Sequence, residues 1–454
     1  MIPRPFEFLL LTSLGVTSFF STPSSLKAQE EQEAPRIRPL IYYEALNLVA
    51  DDTTKSRVDF NFNIPHDFFV FVRSTTNPND FVARGEITVE VLDSSGVSVA
   101  RDIIHKELHH TEMTSSEGKR HGAVHGDFSF SLGPGTYHAI FEVNDLESKR
   151  RIVDKNQRIV LKKFSDSSPG ISGILFLDRV KIGDDSVMKV FPLNLGGDAI
   201  FGKNFTLGFQ TTGAHDTSEV VHYSIHKLDI AGKRISVLSD SARPISKFSN
   251  SRLIPLEGDS ILVYAIRQSN NPPEVKTYLV DIRGDTLQLG KYDVEIKGSG
   301  NSVARKSFAM QWIDMPLTLS NNVLSTEALQ YLMPEKEFDE FIKLSPEDMK
   351  RQFDEFWKKR DPTPQTAYNE AMAEYYQRCD YALENFGTLR QANGIKTDRG
   401  KIYILYGPPA KTERLLTPGT PPKEIWYYDN LGMKFFFVDE SRTGNYKLQS
   451  SEKL

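Results

Sequence analysis

The chain has 454 residues, of which 39% are apolar and 25% are charged, so it can hold about three domains of ordinary globular composition. Its formal net charge of −5 gives no basic excess, which argues against a nucleic-acid partner. Cys379 is the single cysteine, and this excludes an intrachain disulfide.

The first 28 residues have the pattern of a secretory signal peptide. Arg4 supplies a weak positive charge, a short apolar segment runs from residue 8 to residue 20, and residues 26–28 offer a cleavage site. A retained membrane anchor is the alternative, but the apolar segment is shorter than the ~20 residues that span a bilayer. We therefore predict export to the periplasm or the outer-membrane periphery of a bacterium, with no transmembrane helix in the mature chain.

A polar spacer follows at residues 29–35, and two β-rich regions come after it. Short alternating strands with turn residues between them predict one β-sandwich at residues 36–164 and a second at residues 170–316. RVDFNFNI at residues 57–64, for example, alternates between apolar and polar residues with period two, as strands in a sandwich do.

The two β-rich regions share the pattern L-x-x-G-x-Y ahead of an alternating strand. The pattern occurs once at residues 132–137 and again at residues 287–292. A tight turn that leads into a strand opening with Tyr is typical of immunoglobulin-like sandwiches, because the Tyr hydroxyl can cap the corner. We therefore predict two related all-β immunoglobulin-like sandwiches in tandem.

From residue 319 to residue 454 the pattern predicts an α+β domain. Ser345 and Asp348 form a capping box at the start of one amphipathic helix. A second helix is predicted to begin at Thr363 as its N-cap and to end before Gly387. The domain is therefore expected to be a helix pair packed on a small antiparallel sheet.

Four short strands are predicted after the helices, at residues 401–407, 424–429, 433–439 and 445–450. Residues 430–432 predict a tight turn between the second and third strands. In the preceding helix, Cys379 falls on the apolar stripe and is interpreted as a core thiol rather than a nucleophile.

The C-terminal third resembles the GWxTD-domain family of exported bacterial proteins. The resemblance covers roughly residues 344–448 and rests on the blocks FWKKRDPTPQTAYNE, EYYQRCDYALENF, GIKTDRGKIYILYGPP, EIWYYD and FFFVD. The Trp that names the family is absent here, because Ile395 follows Gly394. An apolar residue is retained, so we interpret the position as one that packs. The family has no established enzymatic activity, and the resemblance implies fold and location rather than a reaction.

Thr397, Asp398 and Arg399 in the block GIKTDR are the first candidate site. In a structural interpretation, Asp398 caps loop amides and Arg399 pairs with a carboxylate, since Arg–carboxylate pairs are directional. In a functional interpretation, the three residues line a polar binding cleft between the helix pair and the sheet. The residues expected near them are Arg360, Asp361, Arg378 and Asp380, of which Arg360 and Asp361 are also candidate binding residues. No catalytic residue is predicted, because no histidine follows His226.

Aromatic residues on neighbouring predicted strands form the second candidate. At least half of them should lie in the core, and those that face outward would form a protein- or glycan-binding patch. Trp426 and Tyr428 are the candidates for that patch.

Histidines in the first β-rich region form the third candidate. A metal site assembled from facing strands is one interpretation, and a solvated polar hairpin is the other. The residues concerned are His105, His109, His121 and His125. No cofactor is predicted.

These features favour a non-enzymatic scaffold or adaptor of the bacterial envelope, which binds another envelope protein through its C-terminal domain. One alternative is an enzyme or regulator of envelope polymers that uses a polar cleft around Asp398 and Arg399. A carbohydrate-binding protein is a further alternative, and peripheral association with a membrane stays open.

Overall fold

The computed structural model describes residues 41–77, 79–110, 122–167, 169–183, 187–213, 220–256 and 261–454. The predicted signal peptide, the polar spacer and His121 lie outside the described residues. The described residues form two compact units. The β unit comprises residues 41–284 and 289–311, and the C-terminal unit comprises residues 312–454 with residues 285–288.

The first half of the β unit is built from two sheets. Its strands are β1 (Tyr42–Leu48), β2 (Ser56–Pro65), β3 (Val72–Arg73), β4 (Phe81–Leu92), β5 (Ser98–His110), β6 (Ala123–Leu132), β7 (Gly135–Asp145) and β8 (Arg151–Leu161). Sheet A has the order β1-β2-β6, and sheet B has the order β5-β4-β7-β8 with β3 also paired to β4. Phe60 and Phe62 of sheet A pack with Val89 and Phe141 of sheet B in one apolar core.

The second half of the β unit also has two sheets. Its strands are β9 (Gly170–Ile171), β10 (Leu175–Ile182), β11 (Val187–Pro192), β12 (Ala199–Ile200), β13 (Phe205–Thr212), β14 (Val221–Leu228), β15 (Arg234–Ala242), β16 (Ser251–Leu256), β17 (Val263–Gln268), β18 (Val275–Ile282), β19 (Gly290–Lys297) and β20 (Val303–Gln311). Sheet C has the order β16-β17-β11-β10-β13-β18 with β9 paired to β13, and sheet D has the order β12-β20-β19-β14-β15. The rings of Phe176, Phe205 and Phe308 join the two sheets.

The two halves repeat the same strand connections. The antiparallel set β1-β2-β6 corresponds in chain order and pairing to β10-β13-β18, and β5-β4-β7-β8 corresponds to β15-β14-β19-β20. Gly135 opens β7 and Gly290 opens β19, so the repeated sequence pattern occupies the same place in both halves. The chain is thus a β-rich, multidomain, sandwich-like protein, while the domain bounds taken from the sequence stay predictions.

Strand β2 has two buried faces. Val58, Phe60 and Phe62 point into the core between sheets A and B, whereas Asp59 and Asn61 on the other face are also fully buried. Sheet C covers that polar face, because Tyr264 of β17 lies within hydrogen-bond distance of both polar side chains. Burying a polar group costs free energy unless it is bonded. The Tyr264 hydroxyl serves the Asp59 carboxylate and Asn61 Oδ1, whereas Asn61 Nδ2 has no hydrogen-bond partner among the described residues.

The C-terminal unit is an α+β fold. Its helices are α1 (Leu317–Ser320), α2 (Asn322–Ala328), α3 (Glu335–Phe341), α4 (Pro346–Lys358), α5 (Glu370–Phe386) and α6 (Asp398–Tyr406). Its strands β21 (Lys411–Leu415), β22 (Lys423–Tyr428), β23 (Met433–Val438) and β24 (Lys447–Lys453) form an antiparallel sheet in chain order, named sheet E here. One core joins helices and sheet, with Trp357, Tyr376 and Cys379 from the helices and Trp426 and Phe437 from sheet E.

The predicted helix signals were right in part. Ser345 caps α4 by accepting a hydrogen bond from the Asp348 amide, as the capping box predicts. Helix α5 ends before Gly387, as predicted, but its predicted start at Thr363 was wrong. Asn369 is the N-cap instead, because its side chain accepts from the Met372 amide and the preceding residues form a turn.

The predicted strand at residues 401–407 was wrong. This segment belongs to α6, and Gly407 with a positive φ of 78° ends that helix rather than a strand. The first strand of the sheet is β21, which the sequence pattern did not reveal. The hairpin turn was right, since Gly432 adopts the left-handed conformation between β22 and β23. Among the described residues, helices long and apolar enough to span a bilayer are absent.

Candidate functional site

The candidate segment runs from Asn393 to Arg399, from the connection after α5 into the first turn of α6. A side chain at Gly394 would place its Cβ 1.9 Å from the Ala382 carbonyl oxygen of α5. A Cβ at Gly400 would lie 2.0 Å from the Gly394 carbonyl oxygen. Both positions therefore require glycine because backbones approach too closely for any side chain.

Ile395 stands where the family has its naming Trp, and it is fully buried in the core of the C-terminal unit. The Tyr331 hydroxyl donates a 2.8 Å hydrogen bond to the Ile395 carbonyl oxygen, and burial raises the pKa of Tyr331 to about 12. Lys396 forms a 2.9 Å ion pair with Glu327. The segment is thus fixed on the helical layer by packing, a hydroxyl and an ion pair.

Thr397 is the N-cap of α6 and is buried. Its hydroxyl accepts from the Gly400 amide at 3.0 Å and donates to the Gly394 carbonyl oxygen at 2.8 Å. Both hydrogen-bonding capacities of the side chain therefore serve the local fold.

Asp398 joins the first turn of α6 to the edge strand β24. Its carboxylate accepts a 2.8 Å hydrogen bond from the Leu448 amide, and the Lys447 ammonium lies 3.4 Å away. The Leu448 amide therefore points away from β23, toward the edge of the sheet. A carboxylate in the first helical turn is also favoured by the helix dipole.

Arg399 reaches from α6 to the sheet and the loop before β24. It lies 3.1 Å from the Glu424 carboxylate of β22 and donates to the Gly444 carbonyl oxygen at 3.1 Å. Its guanidinium stands between the rings of Phe386 and Tyr446, with centroid distances of 5.2 and 4.5 Å. Only 11% of the Arg399 side chain and 4% of the Glu424 side chain are exposed, so this ion pair is largely buried.

The partners expected from the sequence are not brought to Arg399. Arg360 lies over the Phe356 ring, and Asp361 accepts from the Thr363 amide. The other expected pair is also engaged elsewhere: Arg378 contacts Glu374 and the Ile404 carbonyl oxygen, while Asp380 accepts from the Leu317 and Thr318 amides. Both expectations were wrong because nearer groups engage these side chains: an aromatic ring, the Glu374 carboxylate and backbone groups at helix and loop ends.

Glu424 was the partner that sequence reasoning missed. A signal was present, since Glu424 precedes Trp426 and Tyr428 in steps of two and therefore shares their face of the strand. A carboxylate on the buried face of an aromatic strand needs a cation, and Arg399 and Arg414 both supply one.

Trp426 and Tyr428 lie in the core rather than on an outward patch. Trp426 is 2% exposed and packs on Phe386 and Phe437, and the Tyr428 hydroxyl donates to the Gly407 carbonyl oxygen. The opposite face of sheet E instead carries three half-buried apolar side chains outside that core. These side chains, named the outer stripe here, are Ile425, Tyr427 and Phe436.

The candidate metal residues are placed apart. His105 and His109 lie on β5, where His109 contacts Asp80 at 2.9 Å and Glu107 at 3.2 Å. His125 lies on β6 of the other sheet, and burial together with the nearby charge of His66 lowers its pKa. Within the described ranges, no three His, Cys, Asp or Glu side chains are grouped so that they could hold a metal ion.

Cys379 is fully buried in α5. Burial, followed by the charge of Asp380, raises the pKa of its thiol well above the usual range. The thiol is therefore held protonated, which suits a core residue and not a nucleophile.

Residues 296–454 match the family model of the GWxTD domain, and this confirms the resemblance of the C-terminal region. No curated protein matches the chain. Among solved structures, the crystal structure of red sea bream transglutaminase matches with 7% identity and a TM-score of 0.17, covering 60% of this chain. The match covers 31% of that transglutaminase, so the chain spans about a third of its length. At this TM-score the similarity carries no argument about fold or activity.

Proposed function

We propose that the protein is an exported scaffold or adaptor of the bacterial envelope, and that its C-terminal unit binds another envelope protein without catalysis. The observation that supports this proposal is that the side chains of Thr397, Asp398 and Arg399 all stabilise the fold. Thr397 caps α6, Asp398 holds an edge strand, and Arg399 neutralises a buried carboxylate. All three build a rigid module, and a rigid module is what a docking domain requires.

The outer stripe supplies a surface for such docking. Ile425 and Phe436 are cross-strand partners, and Tyr427 lies next to them on β22. The Tyr427 hydroxyl donates to Glu413, and the Lys434 ammonium lies 5.1 Å from the centroid of the Phe436 ring. Amphipathic aromatic residues framed by charges are typical of protein interfaces.

In this proposal the β unit acts as a spacer made of two immunoglobulin-like sandwiches. The repeated order of strands in its two halves supports this assignment. In the first half, the Tyr137 hydroxyl also donates to the Gly133 carbonyl oxygen four residues upstream, as in a tyrosine corner. Export of the mature chain is tested separately, by fractionating cells and determining the N-terminus of the chain in the periplasmic fraction.

Site-directed photo-crosslinking in intact cells tests the docking function. A photoreactive residue replaces Phe436 in the full chain, and the matched control replaces Leu389, which is 99% exposed in the loop after α5. We expect one discrete adduct from position 436 that is absent from position 389 and weaker in the Tyr427→Ala background. The same adducts from both positions, or none from position 436, would contradict docking through this face.

A further inference from the structure

The two edges of sheet E are treated differently. At β24 the Asp398 carboxylate accepts a hydrogen bond from the outward-pointing amide of Leu448. At the opposite edge, β21 pairs only with β22 among the described residues, and no other described group bonds to its backbone. Alternate residues of β21 therefore present N–H and C=O groups to an open edge.

An open edge strand is a template for another strand. Proteins usually cover such edges or interrupt them, because unpaired backbone groups recruit other chains. Four of the five residues of β21 are exposed, and the apolar side chains of Leu415 and Leu416 are 46% and 69% exposed at its end. The edge thus offers both backbone hydrogen bonds and apolar contact area.

The charge at this edge is positive. Glu413 is already paired with Lys411, and Glu424 is shared by Arg399 and Arg414. Lys423 on the neighbouring strand is exposed and forms no ion pair with a described residue. Arg414 is also 68% exposed, so cations outnumber carboxylates along the edge.

We infer that β21 binds an extended segment of the partner protein by strand addition, and that this segment alternates acidic and aliphatic residues. Backbone hydrogen bonds would supply the affinity, while Lys423, Arg414 and Leu415 would select the side chains. This inference rests on the proposed docking function and adds the β21 edge to the outer stripe as a second part of the docking surface. Acidic residues match the excess of cations, and aliphatic residues match the exposed leucines.

Hydrogen exchange of the full chain tests the inference directly. The probe is an acetylated eight-residue peptide of alternating Glu and Val, and the control peptide has Lys in place of Glu. At about ten times Kd, the Glu peptide should slow exchange of the outward amides in residues 411–415 about tenfold. The amides of residues 449–453 in β24 should be unchanged, and the Lys peptide should have no effect.

Charge-reversal variants separate edge recognition from general attraction. Lys423→Glu should weaken binding of the Glu peptide several-fold, since it replaces an attraction by a repulsion. Lys336→Glu on α3 is the control, because it makes the same charge change at an exposed site away from the sheet. Equal weakening by both variants would overturn the specific role of the β21 edge.

Three further outcomes would overturn the inference. The first is that the Glu peptide does not slow amide exchange at residues 411–415, and the second is that it slows exchange in β24 alone. The third is that exchange at residues 411–415 slows as protein concentration rises without peptide, which would mean that a second copy of the chain binds the β21 edge. The proposed function fails separately, through the photo-crosslinking at position 436. A partner that is crosslinked there but leaves β21 unprotected would support docking and reject strand addition.

Discussion

Asp59 in the β unit and Glu424 in the C-terminal unit are both buried carboxylates on a strand, but their partners differ. Asp59 has one cation, Arg57, together with the hydroxyls of Ser129 and Tyr264. Glu424 has two cations, and one of them, Arg414, is 68% exposed. Asp59 therefore loses its ion pair when Arg57 is lost, whereas Glu424 retains a cation when either arginine is lost. Burial alone therefore does not rank polar residues by their effect on stability.

The largest effect is expected at Asp59. Asp59→Ala would leave the largely buried Arg57 guanidinium without a carboxylate, with only the Leu253 carbonyl oxygen as its acceptor among the described residues, while the Tyr264 hydroxyl would keep Asn61. We expect a cost of roughly 3–5 kcal/mol in the free energy of unfolding of the β unit. Urea unfolding followed in this unit measures the change, with the exposed Asp178→Ala as control. A loss below about 1 kcal/mol would show that the network is dispensable.

Arg399 should come second. Arg399→Ala removes the buried partner of Glu424 and the contacts with Phe386 and Tyr446, so we expect a loss of about 2–3 kcal/mol in the C-terminal unit. Arg414→Ala is the matched control on the same carboxylate and should cost no more than about 1 kcal/mol, because its side chain is exposed. Equal losses in thermal or urea unfolding would contradict the ranking of the two arginines.

Asp398 should have a smaller effect. Asp398→Ala removes the hydrogen bond to the Leu448 amide at a partly exposed site, so the expected loss is about 1–2 kcal/mol. Amide exchange in β24 should increase at the same time, while exchange in β21 should not change. If stability were unchanged while the crosslink from position 436 disappeared, Asp398 would be a binding residue and its anchoring role would be wrong.

The smallest effect is a pH dependence from His125. Its pKa is lowered in the folded protein, so the unfolded chain binds more protons below its ordinary pKa of about 6.5. This contribution to stability is therefore complete above that pH and is lost as the pH falls. If the folded protein excluded the proton completely, its free energy of unfolding would fall by about 1.4 kcal/mol for each pH unit below that pKa. The His125 ring is half-buried, so we expect a fraction of that decrease. His125→Gln should reduce the change in the urea midpoint between pH 7 and pH 5. If the midpoint of the variant falls as much as that of the wild type, His125 is not the source of the pH dependence.

Local signals in the sequence determined several features of the C-terminal unit. The capping box at Ser345, the stop at Gly387 and the turn that ends at Gly432 depend on hydrogen bonds and dihedral angles within a few residues. The position of Cys379 in the core followed from helical spacing. These features were predictable because chain neighbours fix them.

Helix α6 was decided by tertiary structure. Residues 401–407 are mostly β-branched, aromatic or apolar, and such a short run has no periodicity that distinguishes a strand from a buried helix. The Thr397 cap, the close approach of Gly400 to Gly394 and the burial of Ile402 and Ile404 select the helix.

The partners of two buried carboxylates were also decided by tertiary structure. The alternation in β2 identified a strand, but only the packing of sheet C shows that Asp59 faces protein instead of water. The spacing of Glu424 from Trp426 places it on an inward face, but its pairing with Arg399 required α6 to pack against sheet E. Sequence alone determined the local elements and the GWxTD resemblance, because these depend on residues close in the chain or on recurring blocks. Tertiary structure decided which polar faces are covered and which charges meet, because burial and ion pairing depend on residues far apart in the chain.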